Sequence, residues 1–334
     1  MAWEFLNYYL LDDPNGWNLT DQITYYELGT NQWLSTNDDD ITATTNDIIY
    51  INTAGRLTSE IGNDSTSFDS NPLDPTPTIG GANLSAALDQ GPFNQSSLDS
   101  RSDVITFQSG VLTADVTTTG RIVADLWISS DIADCDIAVR LVDVYPDGRS
   151  MLITDGIHRM RFRNEDYTSS GEEFMSPGEI YNVKVKLPFT NYTWLTDHRI
   201  KIYISGNNSP RYNVNLQDGG PMYTTGTAQY GTISIHHNST YPSQLILPGN
   251  NPSLNTEMEK AQTPLNLYPN PAINQINFNQ NVNEIRVFNL SGQLLLNTTN
   301  VSNSLDISYL KNGVYIIQVT LKDGTVTQRE FVKQ

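Results

Sequence analysis

The chain has 334 residues, long enough for two domains with a sizeable core, and 38% of them are hydrophobic, as expected for a globular protein. Its 19 Lys and Arg stand against 37 Asp and Glu, and the net charge of -18 argues against nucleic acids and anionic membranes as partners, because like charges repel. The sequence has no apolar run long enough to span a membrane, and its single cysteine, Cys135, cannot form an intrachain disulfide.

The first predicted elements are a short helix and a strand. Trp3, Leu6 and Leu10 recur at helical spacing, and a Pro and a Gly follow within a few residues to end the helix. The run from Ile23 to Leu28 then predicts a strand. Because so short a helix is marginally stable alone, we expect it to pack on a body that this chain does not contain.

The segment from residue 69 to residue 101 is rich in Pro and Gly, which disfavour helices and central strands. Apolar residues are nevertheless spread through it: Leu73, Ile79, Leu84, Leu88 and Phe93. We therefore predict an ordered, meandering connection here and not a flexible linker.

Alternation of apolar and polar residues is clearest between residues 101 and 163. Two runs have the apolar face of half-buried strands: Ile122, Ala124, Leu126 and Ile128, then Ile137, Val139 and Leu141. The Pro146-Asp147-Gly148 turn follows, and a third strand is predicted from His158 to Arg163. The pattern predicts an antiparallel sheet with one face buried and the other meeting water or another domain.

Two groups of charged side chains in this stretch are candidates for a site: Asp131, Asp134 and Asp136, and Arg159, Arg161 and Arg163. The aspartates could offer oxygen ligands to Ca²⁺, but they lack the spacing of an EF-hand, so a solvated or capping loop is favoured. The arginines could bind an anion, yet in so acidic a chain we expect them to pair with local carboxylates or dock onto another domain. We predict the six residues as interdomain contacts. No metal or cofactor site is predicted, since the four His also lack zinc-ligand spacing.

Short alternating strands continue to residue 247 with no credible interior helix, which predicts an all-β fold of the sandwich or jelly-roll type. A polar stretch follows, and the last seventy residues restart as a small all-β unit. Its turns Lys311-Asn312-Gly313 and Lys322-Asp323-Gly324 use Gly as hairpins do. The sequence therefore predicts two β domains joined by a linker.

A series of short motifs, in a fixed order, connects the first part of the chain to a known family. They include Pro75-Thr76-Pro77-Thr78-Ile79-Gly80-Gly81, Leu126-Trp127-Ile128-Ser129-Ser130-Asp131, Asp147-Gly148-Arg149-Ser150, Pro177-Gly178-Glu179 and His198-Arg199-Ile200. On these motifs the region resembles the C-terminal jelly-roll domain of the X-Pro dipeptidyl-peptidase and cocaine-esterase family of serine hydrolases. The resemblance implies a galactose-binding-like β jelly roll over residues 37–250. Residues 1–36 look like the end of that family's α/β-hydrolase domain, with Trp33 at its usual tryptophan, although the Trp-Pro that normally follows is missing.

The last residues resemble a type IX secretion sorting domain. The resemblance rests on Leu267-Tyr268-Pro269-Asn270-Pro271-Ala272, Leu310-Lys311-Asn312-Gly313-Val314-Tyr315 and Glu330-Phe331-Val332-Lys333. It implies a small Ig-like β-sandwich over residues 265–334, after a linker at 251–264. By this resemblance an outer-membrane translocon reads the domain and it is cleaved off, which places the protein outside, or on the surface of, a Gram-negative bacterium.

Catalytic residues are the part of the hydrolase family's chemistry that the sequence lacks. The pentapeptide Gly-x-Ser-x-Gly, which lifts a serine nucleophile clear of its sheet, does not occur. In the family, the Asp and His of the triad lie upstream of the jelly roll, so we assign no catalytic residue. The first residues also lack the basic start and apolar segment of a signal peptide. Both gaps are explained if the chain begins late, as a truncated reading frame or a fragment.

The sequence thus predicts the non-catalytic C-terminal part of a secreted serine acyl hydrolase. It would be inactive alone, and it would pack on an α/β-hydrolase domain that cleaves esters or amides, X-Pro dipeptides among them, and help to shape its cleft. The alternative is a carbohydrate-binding module, with a sugar-stacking platform of Trp127, Trp194, Tyr192 and Tyr212. A third hypothesis is an adhesive surface protein.

Overall fold

The computed structural model describes residues 2–168, 170–223, 226–255, 266–279, 282–290, 292–299, 303–321 and 326–334. The chain divides into two compact units, Met1–Ala261 and Gln262–Gln334. The predicted turn at Lys322-Asp323-Gly324 and most of the predicted linker at 251–264 lie outside the described residues. Among the helices of the described part, none has the length and apolar character that crossing a bilayer requires.

The first unit is built mainly of β-strands. Its helices are α1 (Ala2–Leu11) and the short α2 (Pro252–Asn255). Its strands are β1 (Ile23–Glu27), β2 (Gln32–Thr36), β3 (Asn46–Asn52), β4 (Arg56–Thr58), β5 (Asp64–Ser70), β6 (Val104–Gln108), β7 (Val116–Ser130), β8 (Asp136–Val144), β9 (Ser150–Arg159), β10 (Tyr181–Trp194), β11 (Arg199–Ser205), β12 (Gly231–His237) and β13 (Gln244–Pro248). The helix and strand predicted at the start of the chain are present, and the all-β prediction is confirmed.

Strand β7 organises the main sheet of this unit. Strands β3 to β13 form one eleven-stranded sheet in the order β5-β12-β7-β13-β3-β4-β6-β11-β8-β9, with β10 also paired to β7. The antiparallel pairing with β10 runs along most of β7, from Val116 to Ile128. Along its other edge, β7 pairs with β13 at residues 123–125 and with β12 at residues 127–130. Because β7 joins three strands, its apolar face lies at the centre of the core.

The predicted apolar face of β7 is confirmed. Its four members Ile122, Ala124, Leu126 and Ile128 are fully buried. Strand β10 brings Val183 opposite Leu126, and β13 brings Leu245 opposite Ala124. Each large aliphatic side chain removed from water contributes about 1.5–3 kcal/mol, so this cluster is a main source of the unit's stability.

Strand β8 differs from the prediction of a sheet with one face toward water. All nine of its residues are buried. The Pro- and Gly-rich connection packs over its outer side, where Arg140 Nη2 donates to the carbonyl oxygen of Pro77 at 2.9 Å. A second apolar cluster forms there from Leu98, Val104, Val142, Val144, Leu152 and Tyr203, with Ile79 packed against it. The ordered connection predicted for residues 69–101 is therefore confirmed. The second face of the sheet, predicted to meet water or another domain, is at β8 covered by this connection of the same unit.

The strand predicted from His158 to Arg163 is wrong after Arg159. Strand β9 ends at Arg159, and Met160–Phe162 form one turn of 3-10 helix, closed by a hydrogen bond from Arg163 N to Met160 O at 3.1 Å. The backbone N–H of Arg161 donates to the Asp134 carboxylate instead of to a neighbouring strand. Arg159, Arg161 and Arg163 therefore do not share one strand face, because a turn replaces the alternation.

The second unit has two small sheets and a core of its own. Its strands are β14 (Leu267–Tyr268), β15 (Gln275–Phe278), β16 (Val282–Asn289), β17 (Leu294–Thr299), β18 (Ser304–Asp306), β19 (Gly313–Leu321) and β20 (Val326–Lys333). The sheets have the orders β14-β15-β18 and β17-β16-β19-β20. Both sheets contribute to one apolar core, which includes Ile276, Phe278, Val287, Ile317 and Phe331. Two sheets around one core are what the sequence predicts for this unit.

Candidate interdomain contact site

The predicted contact residues lie where the connection from β7 to β8 meets the end of β9. The Asp134 carboxylate accepts hydrogen bonds from Arg161 Nε at 2.8 Å and from Arg161 N at 3.0 Å. Arg161 Nη1 also donates to Gly220 O at 2.9 Å, and its guanidinium lies 4.8 Å from the centre of the Phe174 ring. With side-chain exposures of 2% for Arg161 and 0% for Asp134, the pair belongs to the interior.

A second ion pair lies beside the first. Arg159 holds Asp136 through two hydrogen bonds, Nε to Oδ1 at 2.7 Å and Nη2 to Oδ2 at 2.9 Å. The Asn215 amide donates to Asp134 at 2.8 Å and to Asp136 at 3.0 Å, and so links the two carboxylates. Burial raises the pKa of Asp136, and the hydrogen bonds from Arg159 oppose that rise. These side chains thus satisfy one another inside the unit, and we call the set Asp134, Asp136, Arg159, Arg161 and Asn215 the charged cluster.

The two remaining predicted contact residues lie at the edge of the charged cluster. Arg163 lies 4.4 Å over the Tyr181 ring, and its Nη2 is 3.0 Å from Glu173 Oε2. Asp131 is exposed, and its Oδ1 accepts a hydrogen bond from Thr232 N at 2.8 Å. Of the six predicted residues Asp131 alone is exposed, so the structure does not combine the six into one open surface.

Two adjoining cavities open beside Arg159. Their volumes are about 370 and 270 Å³, and their shared walls are Arg159, Tyr212, Asn213, Met222 and Tyr223. The guanidinium that could attract an anion there is already held by the Asp136 carboxylate. Within the described residues no three His, Cys, Asp or Glu side chains are placed to hold a metal ion.

The first 36 residues of the chain carry an exposed apolar surface. Helix α1 buries none of its residues. The most exposed large apolar side chains of residues 2–36 are Trp3 at 72%, Leu10 at 72%, Leu11 at 71%, Leu19 at 84% and Trp33 at 70%, and we call them the N-terminal apolar surface. The prediction that the helix packs on a body outside the chain agrees with this exposure.

Backbone hydrogen bonds connect this surface to the main sheet. Strands β1 and β2 pair in a hairpin, and the residue after β1, Leu28, donates to Asn191 O at 3.2 Å and accepts from Thr193 N at 2.9 Å on β10. Helix α1 contacts the turn after it, where Phe5 meets Trp17 with ring centres 5.6 Å apart. Of the N-terminal apolar surface, Trp33 is thus carried on a hairpin attached to the main sheet, and Trp3, Leu10 and Leu11 are carried on a helix that contacts the turn after it.

Two histidines resemble parts of a catalytic triad without forming one. His198 Nδ1 is 2.8 Å from the Asp143 carboxylate, but the hydroxyl that binds this carboxylate belongs to Tyr192, at 2.8 Å. Burial and the Asp143 carboxylate raise the pKa of Tyr192, which keeps that hydroxyl protonated. A tyrosine hydroxyl that donates to the acid cannot be the activated nucleophile of a Ser-His-Asp triad.

A serine and a histidine also meet on neighbouring strands. Ser129 Oγ on β7 is 2.8 Å from His236 Nε2 on β12. Burial lowers the pKa of His236, whereas the orienting carboxylate of a triad would raise it. Ser129 also lies within strand β7 and not on the sharp strand-to-helix turn that exposes a nucleophile. We interpret the contact as a cross-strand hydrogen bond.

The sugar-stacking platform of the alternative hypothesis is not formed. Trp194 is 0% exposed and Tyr192 is 8% exposed, so two of its four members lie inside the core. Trp127 packs against Tyr241 with ring centres 5.3 Å apart. The carbohydrate-binding hypothesis is therefore not favoured.

Sequence comparisons match both units to known families. Residues 15–246 match the family described as the X-Pro dipeptidyl-peptidase C-terminal non-catalytic domain. Residues 266–334 match the secretion system C-terminal sorting domain. Cocaine esterase from Rhodococcus sp. (strain MB1 Bresler) is 32% identical over 240 residues, which are 68% of this chain and 41% of the esterase.

Two solved structures have a similar fold. An α-amino acid ester hydrolase superposes with a TM-score of 0.66 at 22% identity, over 74% of this chain and 44% of that one. An aminopeptidase from the marine sediment archaeon Thaumarchaeota archaeon gives a TM-score of 0.65 at 22% identity, over 74% of this chain and 43% of that one. The chain thus spans less than half the length of the esterase and of either solved structure.

Proposed function

Because the chain belongs to the family of X-Pro dipeptidyl-peptidase C-terminal non-catalytic domains, we propose that its first unit is the structural partner of an α/β-hydrolase catalytic domain. That domain would supply the serine nucleophile, and the pair would hydrolyse an ester or an amide through an acyl-enzyme. The names of the similar proteins, an esterase, an ester hydrolase and an aminopeptidase, support this substrate class.

The observation that carries the proposal is the N-terminal apolar surface. Large apolar side chains such as Trp3 and Leu19, exposed by 72% and 84%, are unfavourable in water and typical of a contact with another protein body. Trp is also the side chain most often found at the energetic centre of interfaces. Asp131 and Arg163, at the edge of the charged cluster, stay proposed contacts of lesser weight. The first unit would thus hold the catalytic domain mainly through apolar burial.

The second unit matches a secretion system C-terminal sorting domain, which implies export to the cell surface or the exterior. We infer that a type IX translocon of a Gram-negative bacterium reads residues 265–334 and that this unit is then removed. A mature protein shortened at its C-terminus by the mass of this unit would support cleavage, and retention of the unit after export would contradict it.

The first test measures catalysis with and without a catalytic domain. The chain is expressed alone and together with the coding sequence upstream of codon 1, and both products are assayed with p-nitrophenyl acetate and a serine-directed fluorophosphonate. We expect no turnover and no labelling for the chain, and turnover abolished by the reagent for the longer product. Inhibitor-sensitive turnover by the chain, or an upstream sequence without Gly-x-Ser-x-Gly, contradicts the proposal.

The second test locates the contact. Leu10→Ser removes an apolar side chain that is 72% exposed, and Leu290→Ser is its matched control, 67% exposed in the sorting unit. In the longer product, amide hydrogen exchange of residues 2–36 should be faster in Leu10→Ser than in the wild type. The esterase activity of this variant should also be lower. Equal protection and activity in both variants would rule out this surface as the contact.

A further inference from the structure

The chain does not leave the first unit where its last strand, β13, ends. Beyond Pro248 it continues into α2, and there Leu254 is 1% exposed and belongs to the apolar core of the unit. The backbone N–H of Leu254 donates to Asn251 O at 2.9 Å and closes a single turn. We call residues 251–254 the C-terminal clasp. A leucine side chain removed from water stabilises the body that encloses it, so the clasp is a part of the first unit.

Asn251 fixes the start of the C-terminal clasp to β3. Its backbone N–H donates to both oxygens of the Asp47 carboxylate, at 3.1 and 3.0 Å, and its Nδ2 donates to Asp47 Oδ2 at 2.6 Å. Asp47 is 4% exposed and Asn251 is 8% exposed. Within the described residues, every hydrogen bond to the Asp47 carboxylate comes from Asn251. A buried carboxylate without a donor is unfavourable, so Asp47 requires the clasp.

The Asn251 side chain also completes the edge of β7. Its Oδ1 accepts a hydrogen bond from Thr117 N, and its Nδ2 donates to Thr117 O, both at 2.9 Å. Strand β13 lies between β3 and β7 in the sheet and ends at Pro248. Asn251 therefore joins β3 to β7 just beyond the point where β13 separates them. Gly249 permits this approach, because a Cβ there would lie 2.7 Å from Asn251 Nδ2 and from Thr117 O.

The two asparagines of the Gly249-Asn250-Asn251-Pro252 segment are alike in sequence and differ in the structure. Asn250 is exposed, and its side chain makes no hydrogen bond to any residue that the structure describes. Asn251 uses both hydrogens and the oxygen of its amide. A chain that merely passed from one unit to the next would leave both asparagines to the solvent. The connection to the second unit therefore begins after the C-terminal clasp.

We propose that the C-terminal clasp sets the limit at which the sorting unit can be removed, so that the peptidase cuts after Leu254 and the mature first unit keeps residues 251–254. The cut is the hydrolysis of one peptide bond, in which water supplies the hydroxyl of the new carboxyl group and the proton of the new amino group. A cut before Asn251 would take away the donors of Asp47 and the buried Leu254 side chain, and would destabilise the part that remains. The inference rests on the proposed removal of the sorting unit and adds a position to it.

Trimming from the C-terminus tests this limit on the full chain. A recognition sequence for a site-specific protease is inserted between Lys260 and Ala261, the folded chain is cut there, and carboxypeptidase Y then removes residues from the new end. Mass spectrometry should show trimming that stops before Leu254. The same digestion in urea should pass Leu254, because unfolding releases the clasp. Removal of Leu254 from the folded chain as fast as in urea would overturn the proposal.

Asn251→Ala and Asn250→Ala are matched variants for the same experiment. In Asn251→Ala the equilibrium constant for unfolding of the first unit, followed by tryptophan fluorescence in urea, should rise at least about tenfold, because Asp47 and Thr117 lose their side-chain partners. Trimming should then pass residue 254. Asn250→Ala should behave as the wild type in both measurements. Equal behaviour of the two variants would contradict the proposal.

A third variant and the exported protein complete the test. If Asn251→Ala fails to fold, Leu254→Ala decides, because trimming should pass residue 254 faster than in the wild type, and an unchanged rate would overturn the proposal. In the exported protein the C-terminal peptide should contain Leu254, and a mature end before Asn251 would also overturn it. Retention of the whole sorting unit would contradict the proposed removal alone, because the trimming of the cut chain in vitro does not depend on export.

Discussion

The charged cluster and the N-terminal apolar surface reverse the usual expectation of where charge and apolar groups lie. Arg161 and Asp134 carry opposite charges at 2% and 0% exposure, whereas Leu10 and Trp3 are both 72% exposed. Four of the six charged side chains that the sequence offers as contacts form ion pairs inside the unit, where each ion requires its partner. The difference supports apolar exposure, and not charge, as the mark of the proposed contact surface of this domain.

The largest effect should come from breaking the buried ion pair. Arg161→Ala leaves the Asp134 carboxylate buried without its guanidinium, which should lower the free energy of unfolding by about 3–5 kcal/mol. All five tryptophans lie in residues 1–261, so tryptophan fluorescence during urea unfolding reports on the first unit. Arg149→Ala is the control, because the Arg149–Asp147 pair is half exposed, at 53% and 55%, and such pairs contribute about 1 kcal/mol or less.

The double variant Asp134→Leu with Arg161→Met sharpens the same point. Removing both charges together leaves no unpaired ion, so much of the stability lost in Arg161→Ala should return. A loss in Arg161→Ala no larger than that in Arg149→Ala would show that the cluster is not an interior feature in solution.

A smaller effect is expected from a single buried hydroxyl. Tyr192→Phe removes the donor that lies 2.8 Å from the Asp143 carboxylate. Hydrogen bonds to charged groups contribute about 1.5–3 kcal/mol, so the free energy of unfolding should fall by about this amount. The midpoint of urea unfolding should move to a lower urea concentration. Tyr230→Phe, at a tyrosine that is 62% exposed, should leave the midpoint unchanged. Equal midpoints for the two variants would mean that solvent replaces the Tyr192 hydroxyl without loss.

A pH dependence should accompany burial of the histidines on β12. Burial lowers the pKa of His237, whose Nε2 lies 2.9 Å from Thr66 Oγ1. Below the ordinary histidine pKa of about 6.5, the unfolded chain therefore binds more protons at this residue than the folded chain does. The contribution of neutral His237 to the free energy of unfolding is complete above that pH and is lost as the pH falls below it. Between pH 7.5 and pH 5 the free energy of unfolding should fall more steeply for the wild type than for His237→Gln. Burial also lowers the pKa of His236, so a shallower slope should persist in the variant, and identical slopes would contradict the prediction.

The smallest effect is expected on the apolar side of the comparison. Leu10→Ser, at a side chain that is 72% exposed, should change the free energy of unfolding of the isolated chain by less than about 0.5 kcal/mol. In the longer product, where the N-terminal apolar surface is proposed to be covered, the same substitution should lower the esterase activity. A loss above about 1 kcal/mol in the isolated chain would instead show that α1 packs within the first unit.

The sequence predicted those parts of the fold that depend on local periodicity. Alternation identified Ile122, Ala124, Leu126 and Ile128 as one buried face, because a strand directs every second side chain to the same side. Helical spacing identified α1 as a helix, and its packing on another body stays a prediction. Short motifs in a fixed order carried the family resemblance that the comparisons confirm.

The candidate site could not be predicted to the same depth. Arg161 and Asp134 are 27 residues apart, and their contact exists because β9 ends at Arg159 and the chain turns. Strand periodicity continued past that point would place Arg161 on an outer face. In the same way, the alternation of β8 indicated a face toward water or another domain, and the connection at residues 69–101 covers that face.

The sequence by itself determined an all-β chain of two units, an apolar core on alternating positions, a family, and the lack of a nucleophile elbow. Only the tertiary structure decided which charges are interior and which apolar side chains stay exposed. The physical reason is that strand patterns report the direction of a side chain relative to its own backbone. Burial depends instead on which distant segment packs on that side, and no local pattern contains that information.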